Sequence, residues 1–401
     1  MVTAYGMTTD TVEPPAIVGV SIPEAARYLP DETSMGITLR SVVEALEDAG
    51  LDKSEVNGAC IAWNGPGQSP GGGSSNWARQ LGVTLNWVID GGLDAVGIRG
   101  LLNATAAIRA GLCETVVVAG GLAGGARVAG ADFLGSRSDS YAQYEFNHPF
   151  GGGVMWRFAL NAQRHMHDYG TTPEQLAHVA ATIRNHGHAN PEATMYGRGP
   201  YTVEDVLASR WIAEPLHLLE CCLVGQGAAA FVVTTAERAR SLRHPPVSVL
   251  AGAMEISQGP HHYPSLNSDE GMLGAKRMRT AFGQAGVTPA DVDVVSLYDP
   301  TAFEVIRWIE ALGFCDEGEG GAFVEGNTLA RDGRLPANVD GGTLSHMWAS
   351  TAQLTAKVVE GVRQLRQDQG SRQVAGAEVA VCTNSVPGAH HVEMCILGRA
   401  R

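Results

Sequence analysis

The chain has 401 residues, 44% of them apolar, with a formal net charge of −14 and a pI near 5.4. That length and apolar content suit a large core in two or three domain-sized units and exclude a disordered chain. The acidic balance excludes a broad basic face for nucleic acid or anionic membrane, leaving room for a local basic patch.

Residues 1–15 are polar and acidic, without the apolar run of a secretory signal, and no later run is long enough to span a bilayer, so a soluble, cytoplasmic protein is expected. Of the seven cysteines, Cys60, Cys113, Cys315 and Cys395 sit in apolar surroundings, which fits reduced core thiols. The adjacent pair Cys221-Cys222 lacks the spacing of zinc ligands.

In chain order, residues 45–52 read as a helix end closing at Gly50 and lead through Val56 to a strand at 59–63. At Ile89-Asp90-Gly91-Gly92 a helix is due to begin, with Asp90 either its N-cap or a residue facing a ligand. A helical run at 95–110 stops at Gly111 and feeds a strand at 115–119, closed by Gly120-Gly121. From about 123 to 225 the character is mixed. Residues 139–153 read as loops around a site, and helices at 155–169 and 173–186 precede the breaker Asn190-Pro191. A strand at 228–234 follows.

The pattern then returns about 240 positions later, far beyond any solenoid period. Residues 281–289 form a helix end at Gly286 followed by Pro289 and lead through Val292 to a strand at 294–298; a helix at 351–369 feeds a strand at 378–382. Two halves of like topology are predicted, 1–245 and 246–401, the first carrying the loop region at about 123–225. Continuous apolar strands alternating with helices indicate parallel-rich sheets covered on both faces. Two unrelated α/β domains would give the same alternation.

Several motifs occur in a fixed order. They are Tyr169-Gly170-Thr171-Thr172-Pro173-Glu174-Gln175-Leu176-Ala177, Arg184-Asn185-His186-Gly187-His188-Ala189-Asn190-Pro191, Pro215-Leu216, Gly227-Ala228-Ala229-Ala230, Tyr298-Asp299 and Gly341-Gly342. Together they resemble the sterol carrier protein X type of the thiolase superfamily and its actinobacterial relatives, the steroid side-chain aldolases. The likeness spans nearly the whole chain. It implies an α/β, thiolase-like five-layered αβαβα fold of two similar halves, a homodimer, and a coenzyme A (CoA) thioester bound as substrate between the halves. It implies no metal and no other cofactor, and a separate OB-fold/zinc-ribbon partner protein.

The family's nucleophile is missing. Thiolases place a cysteine at a helix start, where backbone N–H groups and the dipole favour the thiolate; Ile89 or Asp90 falls at that place, and neither forms a stable acyl-enzyme. Cys382 falls near the family's second, proton-shuttling cysteine, or is a buried strand cysteine. Tyr298 stands where degradative thiolases have Asn or His and the aldolases have Tyr. It can pass a proton or hydrogen-bond a β-hydroxyl or enolate oxygen, or it can tie its hydroxyl to backbone.

Trp348 occupies the station of Gly-His-Pro in thiolases and of a tyrosine in the aldolases. An indole donates a hydrogen bond but is no base, so the base role passes to His346, unless that loop histidine is merely solvated. His188 either orients the thioester carbonyl or a water, or satisfies a carbonyl at a helix end. Gly341 and Gly342 offer N–H groups to an oxyanion or make a tight turn. The pairs His261-His262 and His390-His391 point apart along the chain, unlike metal ligands.

The expected function is a carbon–carbon lyase performing retro-aldol cleavage of a β-hydroxyacyl-CoA with a steroid or other bulky side chain. Tyr298, His346 and His188 are its expected catalytic residues; Asp90, Gly341, Gly342, Trp348 and Cys382 are expected to bind substrate. Claisen or thiolytic acyl transfer by an atypical nucleophile, and a non-catalytic acyl-CoA-binding subunit, are the alternatives.

Overall fold

The computed structural model describes residues 13–64, 73–91, 95–124, 154–256, 267–268, 271–272, 274–385 and 391–399. The loops expected at 139–153, Gly92, the pair His261-His262 and His390 lie outside these residues.

The first half runs β1 (Ala16–Ser21), α1 (Ser34–Ala49), β2 (Gly58–Asn64), β3 (Trp87–Asp90), α2 (Gly97–Arg109) and β4 (Thr115–Leu122). Helices α3 (Val154–Tyr169) and α4 (Pro173–Ala189) precede its last strand, β5 (Gln226–Thr234). The second half runs β6 (Val247–Ile256), α5 (Ala275–Ala285), β7 (Val294–Ser296), α6 (Ala302–Leu312), α7 (Thr351–Arg366), β8 (Val379–Ser385) and β9 (His391–Arg399).

The repeat holds at the level of single dihedrals. Helix α1 closes on Gly50 at φ 71°, and a 3₁₀ turn with a reciprocal Asp52/Glu55 cap leads into β2. Helix α5 closes on Gly286 at φ 70°, and a 3₁₀ turn capped by Thr288 and Asp291 leads into β7. Both glycines supply the left-handed conformation that ends a helix without a Cβ clash. A Cβ at Gly286 would meet nothing within 4 Å, so Gly286→Ala is expected to cost only the backbone term, about 1 kcal/mol. Gly50→Ala, at the matching dihedral, is expected to cost the same; urea midpoints differing by much more than this between the two would deny the equivalence.

Pairing follows the same symmetry. Strands β2 and β4 are parallel, as are β7 and β8; β5 runs antiparallel to β4 and β1, and β9 antiparallel to β8 and β6. The order β7-β8-β9-β6-β1-β5-β4-β2-β3 joins both sets across β1 and β6, where Ala16 pairs with Ser248 and Ile17 with Val247. Helices α2 and α7 touch strands of both sets and lie between them, while α1 covers the outer face of the first set and α5 that of the second. The result is five layers, αβαβα. Among the described residues, no helix is long and apolar enough to cross a membrane.

Two predicted boundaries shift for local reasons. The strand expected at 294–298 stops at Ser296, because Leu297 bonds the side chain of Asn338 in place of a strand backbone. Asp90 pairs in parallel register with Ile61 as the last residue of β3, and α2 runs from Gly97, after Val96, later than the helix start expected near Gly92.

Candidate active site

The C-terminal end of β7 opens into Leu297-Tyr298-Asp299-Pro300, and a second segment runs beside it. Val295 N–H donates to the Pro336 carbonyl and Asn338 N–H to the Val295 carbonyl, both at 2.9 Å. Asn338, at φ 48°, then extends this ladder with its side chain, accepting from Leu297 N–H at 2.6 Å and donating to the Leu297 carbonyl at 2.9 Å. The chain turns away at Gly341 and Gly342, with φ of 104° and 55°. A Cβ at Gly341 would lie 2.6 Å from Gly187 Cα, and one at Gly342 would lie 2.1 Å from Asp299 Oδ2. Both positions therefore require glycine for packing as well as for dihedral.

Beyond them, residues Gly342–His346 form a single π-helical turn. Asp299 grips it: its carboxylate accepts Thr343 N–H at 2.9 and 3.1 Å, the Thr343 hydroxyl at 3.1 Å, and Lys357 Nζ at 2.6 Å. Such wide turns recur at functional sites because they aim a side chain off the regular helical stripe.

The side chain aimed here is His346, only 1% exposed. Its Nδ1 lies 2.8 Å from Asp340 Oδ2, while Asp340 Oδ1 accepts Gly342 N–H at 2.9 Å. Burial alone would raise the Asp340 carboxyl. The hydrogen bond and charge of His346, the charge of Lys357 and the Gly342 amide outweigh it and hold the group well below its ordinary range. An ionised carboxylate only accepts, so Nδ1 carries a proton, and in the uncharged form of the ring Nε2 presents its lone pair. Nε2 is buried and has no hydrogen-bond partner among the described residues. The alternative of a solvated loop histidine does not hold: His346 is buried and bonded to a carboxylate.

Tyr298 is 4% exposed, and its N–H donates to Thr383 Oγ1 at 2.9 Å. Burial, reinforced by Cys222, Glu304 and Asp299, pushes its phenol well above the usual value, so it stays protonated and acts as a donor. Its hydroxyl makes no hydrogen bond among the described residues, so it is not tied to backbone. One segment then stitches the two loops together. Cys222 N–H donates to the Pro300 carbonyl, Leu223 N–H to Thr343 and Gly225 N–H to Trp348, at 2.9, 3.2 and 2.9 Å. Trp348 is thus a buried wall residue with its carbonyl in use.

The other expected residues divide. His188 lies in the last turn of α4, whose Gly187 packs directly on Gly341 and Ser345. Its Nδ1 is buried without a hydrogen-bond partner among the described residues; the helix-end histidine that meets a carbonyl is His186, bonded to Asn338 O at 3.2 Å. Cys382 is fully buried beside Cys395, with its sulfur against Gly361 of α7, away from the hydrogen bonds around His346. Asp90 is exposed at the end of β3 and takes no part in those bonds either.

The glycine loop requires a further correction. Gly341 N–H is bonded to Asn338 O, Gly342 N–H to Asp340 and Thr343 N–H to Asp299, so these amides are spent inside the turn and cannot cradle an oxyanion. Among the described residues, no cluster of three His, Cys, Asp or Glu side chains is arranged to hold a metal.

Sequence reasoning missed Asp340, Asp299, Lys357 and Cys222. Asp340 was the findable one: an acidic residue six positions before a candidate base, inside a Gly-Gly turn, is placed to orient its imidazole.

Residues 270–399 match the family model described as thiolase C-terminal domain-like. The chain is 33% identical to a steroid side-chain-cleaving aldolase of Thermomonospora curvata, across 87% of this chain and 90% of that one. It is 32% identical to the 17-hydroxy-3-oxo-4-pregnene-20-carboxyl-CoA lyase of Mycobacterium tuberculosis, across 92% and 95%. The solved structure of the Ltp2-ChsH2(DUF35) aldolase superposes with a TM-score of 0.82 at 30% identity, covering 97% of this chain and 99% of that one. The human mitochondrial 3-ketoacyl-CoA thiolase, at 14% identity and a TM-score of 0.65, shares the fold. With two repeated halves, the ordered motifs and these near full-length likenesses, the chain belongs to the thiolase superfamily, as an enzyme of the sterol carrier protein X-type branch that includes the steroid side-chain-cleaving aldolases.

Proposed function

We propose that the chain is a carbon–carbon lyase that cleaves a β-hydroxyacyl-CoA with a steroid or similarly bulky acyl group by a retro-aldol reaction, bound between the halves 1–245 and 246–401. The observation that carries this reading is the buried Nε2 of His346, oriented by Asp340 and without a hydrogen-bond partner among the described residues. In the reaction, Nε2 takes the β-hydroxyl proton and the oxygen's electrons form a carbonyl. The Cα–Cβ bond breaks, its electron pair becomes a thioester enolate, and the proton passes to Cα. Tyr298, held protonated, donates to the enolate oxygen, a role worth roughly 3 kcal/mol of barrier. The proton and electron balance calls for no redox cofactor and no metal. His188 is proposed as a second donor to the thioester, and Trp348 as a wall against the acyl group.

The relatives named for steroid side-chain and pregnene-carboxyl-CoA cleavage support this substrate class. Acyl transfer is less well supported: Cys222 is the thiol beside Tyr298, and burial pushes it well above its usual value, so thiolate is scarce. A homodimer is proposed through β3, an edge strand paired on one side only among the described residues, with Val88 exposed. A separate OB-fold/zinc-ribbon partner is proposed by analogy with the two-component name of the solved aldolase. Free thiols at all seven cysteines support a cytoplasmic setting.

The test is incubation with a panel of β-hydroxyacyl-CoAs, with and without the partner, following ketone and shortened acyl-CoA by mass spectrometry. Tyr298→Phe is expected to lower the rate by about 10²-fold, as for loss of one oxyanion donor. Release of free CoA with a trapped acyl-protein mass would replace the lyase with an acyltransferase.

A further inference from the structure

The turn that carries His346 is held by two carboxylates, and Lys357 of helix α7 is bonded to one of them. Asp299 accepts the N–H groups of Thr343 and Leu344, and Asp340 accepts Gly342 N–H and bonds His346. Lys357 Nζ lies 2.6 Å from Asp299 Oδ1, with the two side chains 3% and 0% exposed. The lysine charge also reaches Asp340, where it helps keep that carboxyl ionised.

Other charged groups surround the turn without bonding its carboxylates, although the charge of Arg184 reaches Asp299 and that of Arg372 reaches Asp340. From α4, Arg184 donates to the carbonyls of Leu219 and Cys221 at 2.5 and 2.9 Å, and burial lowers the proton affinity of His186; His188 follows on the same helix. From the far side, Glu360 of α7 pairs with Arg372 at 3.3 Å, while Tyr298 stays neutral. Without Lys357 the imidazole would face Asp340 and Asp299 with no directly bonded countercharge.

We propose that Lys357 is a positioning residue that sets the proton affinity of His346, by offsetting the charge of Asp299 and by fixing Asp299 against the π-helical turn. A neighbouring negative charge favours the imidazolium, which cannot act as a base; the lysine charge acts in the opposite direction. This inference rests on the reading of His346 as the base, and its test separates the two.

The experiment follows the His346 ring by NMR titration in protein labelled at histidine nitrogen, alongside kcat/KM against pH with a β-hydroxyacyl-CoA. Lys357→Met is expected to raise the His346 midpoint by about one pH unit and carry the acidic limb of kcat/KM with it. Lys357→Arg is expected to restore both. Asp299→Asn, which leaves the lysine unopposed, is expected to lower the midpoint by a similar amount, and this variant decides the matter if Lys357→Met does not fold. An unmoved His346 midpoint in either variant, with turnover reduced equally at every pH, would overturn the inference and leave Lys357 a purely structural ion pair. His346→Gln retaining near-normal turnover would instead overturn the base assignment, while the NMR midpoints would still judge Lys357.

Discussion

Replacing His346 by alanine is expected to lower kcat for cleavage of a β-hydroxyacyl-CoA by about 10³-fold while KM changes less than about threefold. The asymmetry follows from where the proton moves. The imidazole takes the β-hydroxyl proton as the carbon–carbon bond breaks, so its contribution is concentrated in the transition state. Asp340→Asn is expected to lose about 10²-fold: the amide can present its NH2 to Nδ1, which moves the ring proton to Nε2 and removes the lone pair from the reacting side. Single-turnover rates with thermal midpoints as a folding control decide the matter. A His346→Ala rate within tenfold of the parent would transfer the base role elsewhere.

The pH dependence has a definite sign. Asp340 is held well below its ordinary range, so the stability it contributes is complete above the unfolded carboxylate value of about 4 and is lost only as pH falls through the lower folded value. The difference in urea midpoint between the parent and Asp340→Asn should therefore stay constant from neutral pH down to about 4 and shrink only below it, and a difference that already shrinks well above pH 4 would contradict this.

The elements were legible because their signals are local. Gly50 and Gly286 announce two helix ends whose φ values are 71° and 70°, and the helices expected at 155–169 and 173–186 occur at Val154–Tyr169 and Pro173–Ala189. Tyr298 and His346 could be nominated because their motif positions resemble a family. Which partners tune them could not, since these come from the tertiary fold. Lys357 is 58 positions from the Asp299 it bonds. The Asp340–His346 spacing of six matches no helical period, and the two side chains meet across a π-helical turn. The Gly341-Gly342 loop misled for the same reason: glycine pairs advertise accessible N–H groups, and whether those groups are spent, here on Asn338 and Asp340, depends on residues the motif does not contain.

Gly341→Ala is expected to destabilise the protein by about 3–4 kcal/mol and to cut turnover in the folded fraction by more than about 10²-fold. The dihedral contributes first, since φ of 104° lies where L side chains rarely sit. The larger part is contact: the new Cβ would lie 2.6 and 2.9 Å from Gly187 Cα and N, backbone atoms of α4 that have no rotamer to change. The helix and the turn meet there through two glycines, and Gly187 is already pressed on Ser345, so relief in either direction displaces the turn that aims His346. Gly187→Ala separates the two contributions. Its Cβ would meet Ser345 Oγ at 2.3 Å and Cβ at 2.4 Å, which are side-chain atoms, so Ser345→Gly is expected to rescue Gly187→Ala. The same change is expected to leave Gly341→Ala unimproved, because its clash is with backbone. Urea midpoints of the four variants measure this coupling directly. Equal rescue of both would mean that the helix and turn are free to separate, and the positioning of His346 would then need another cause.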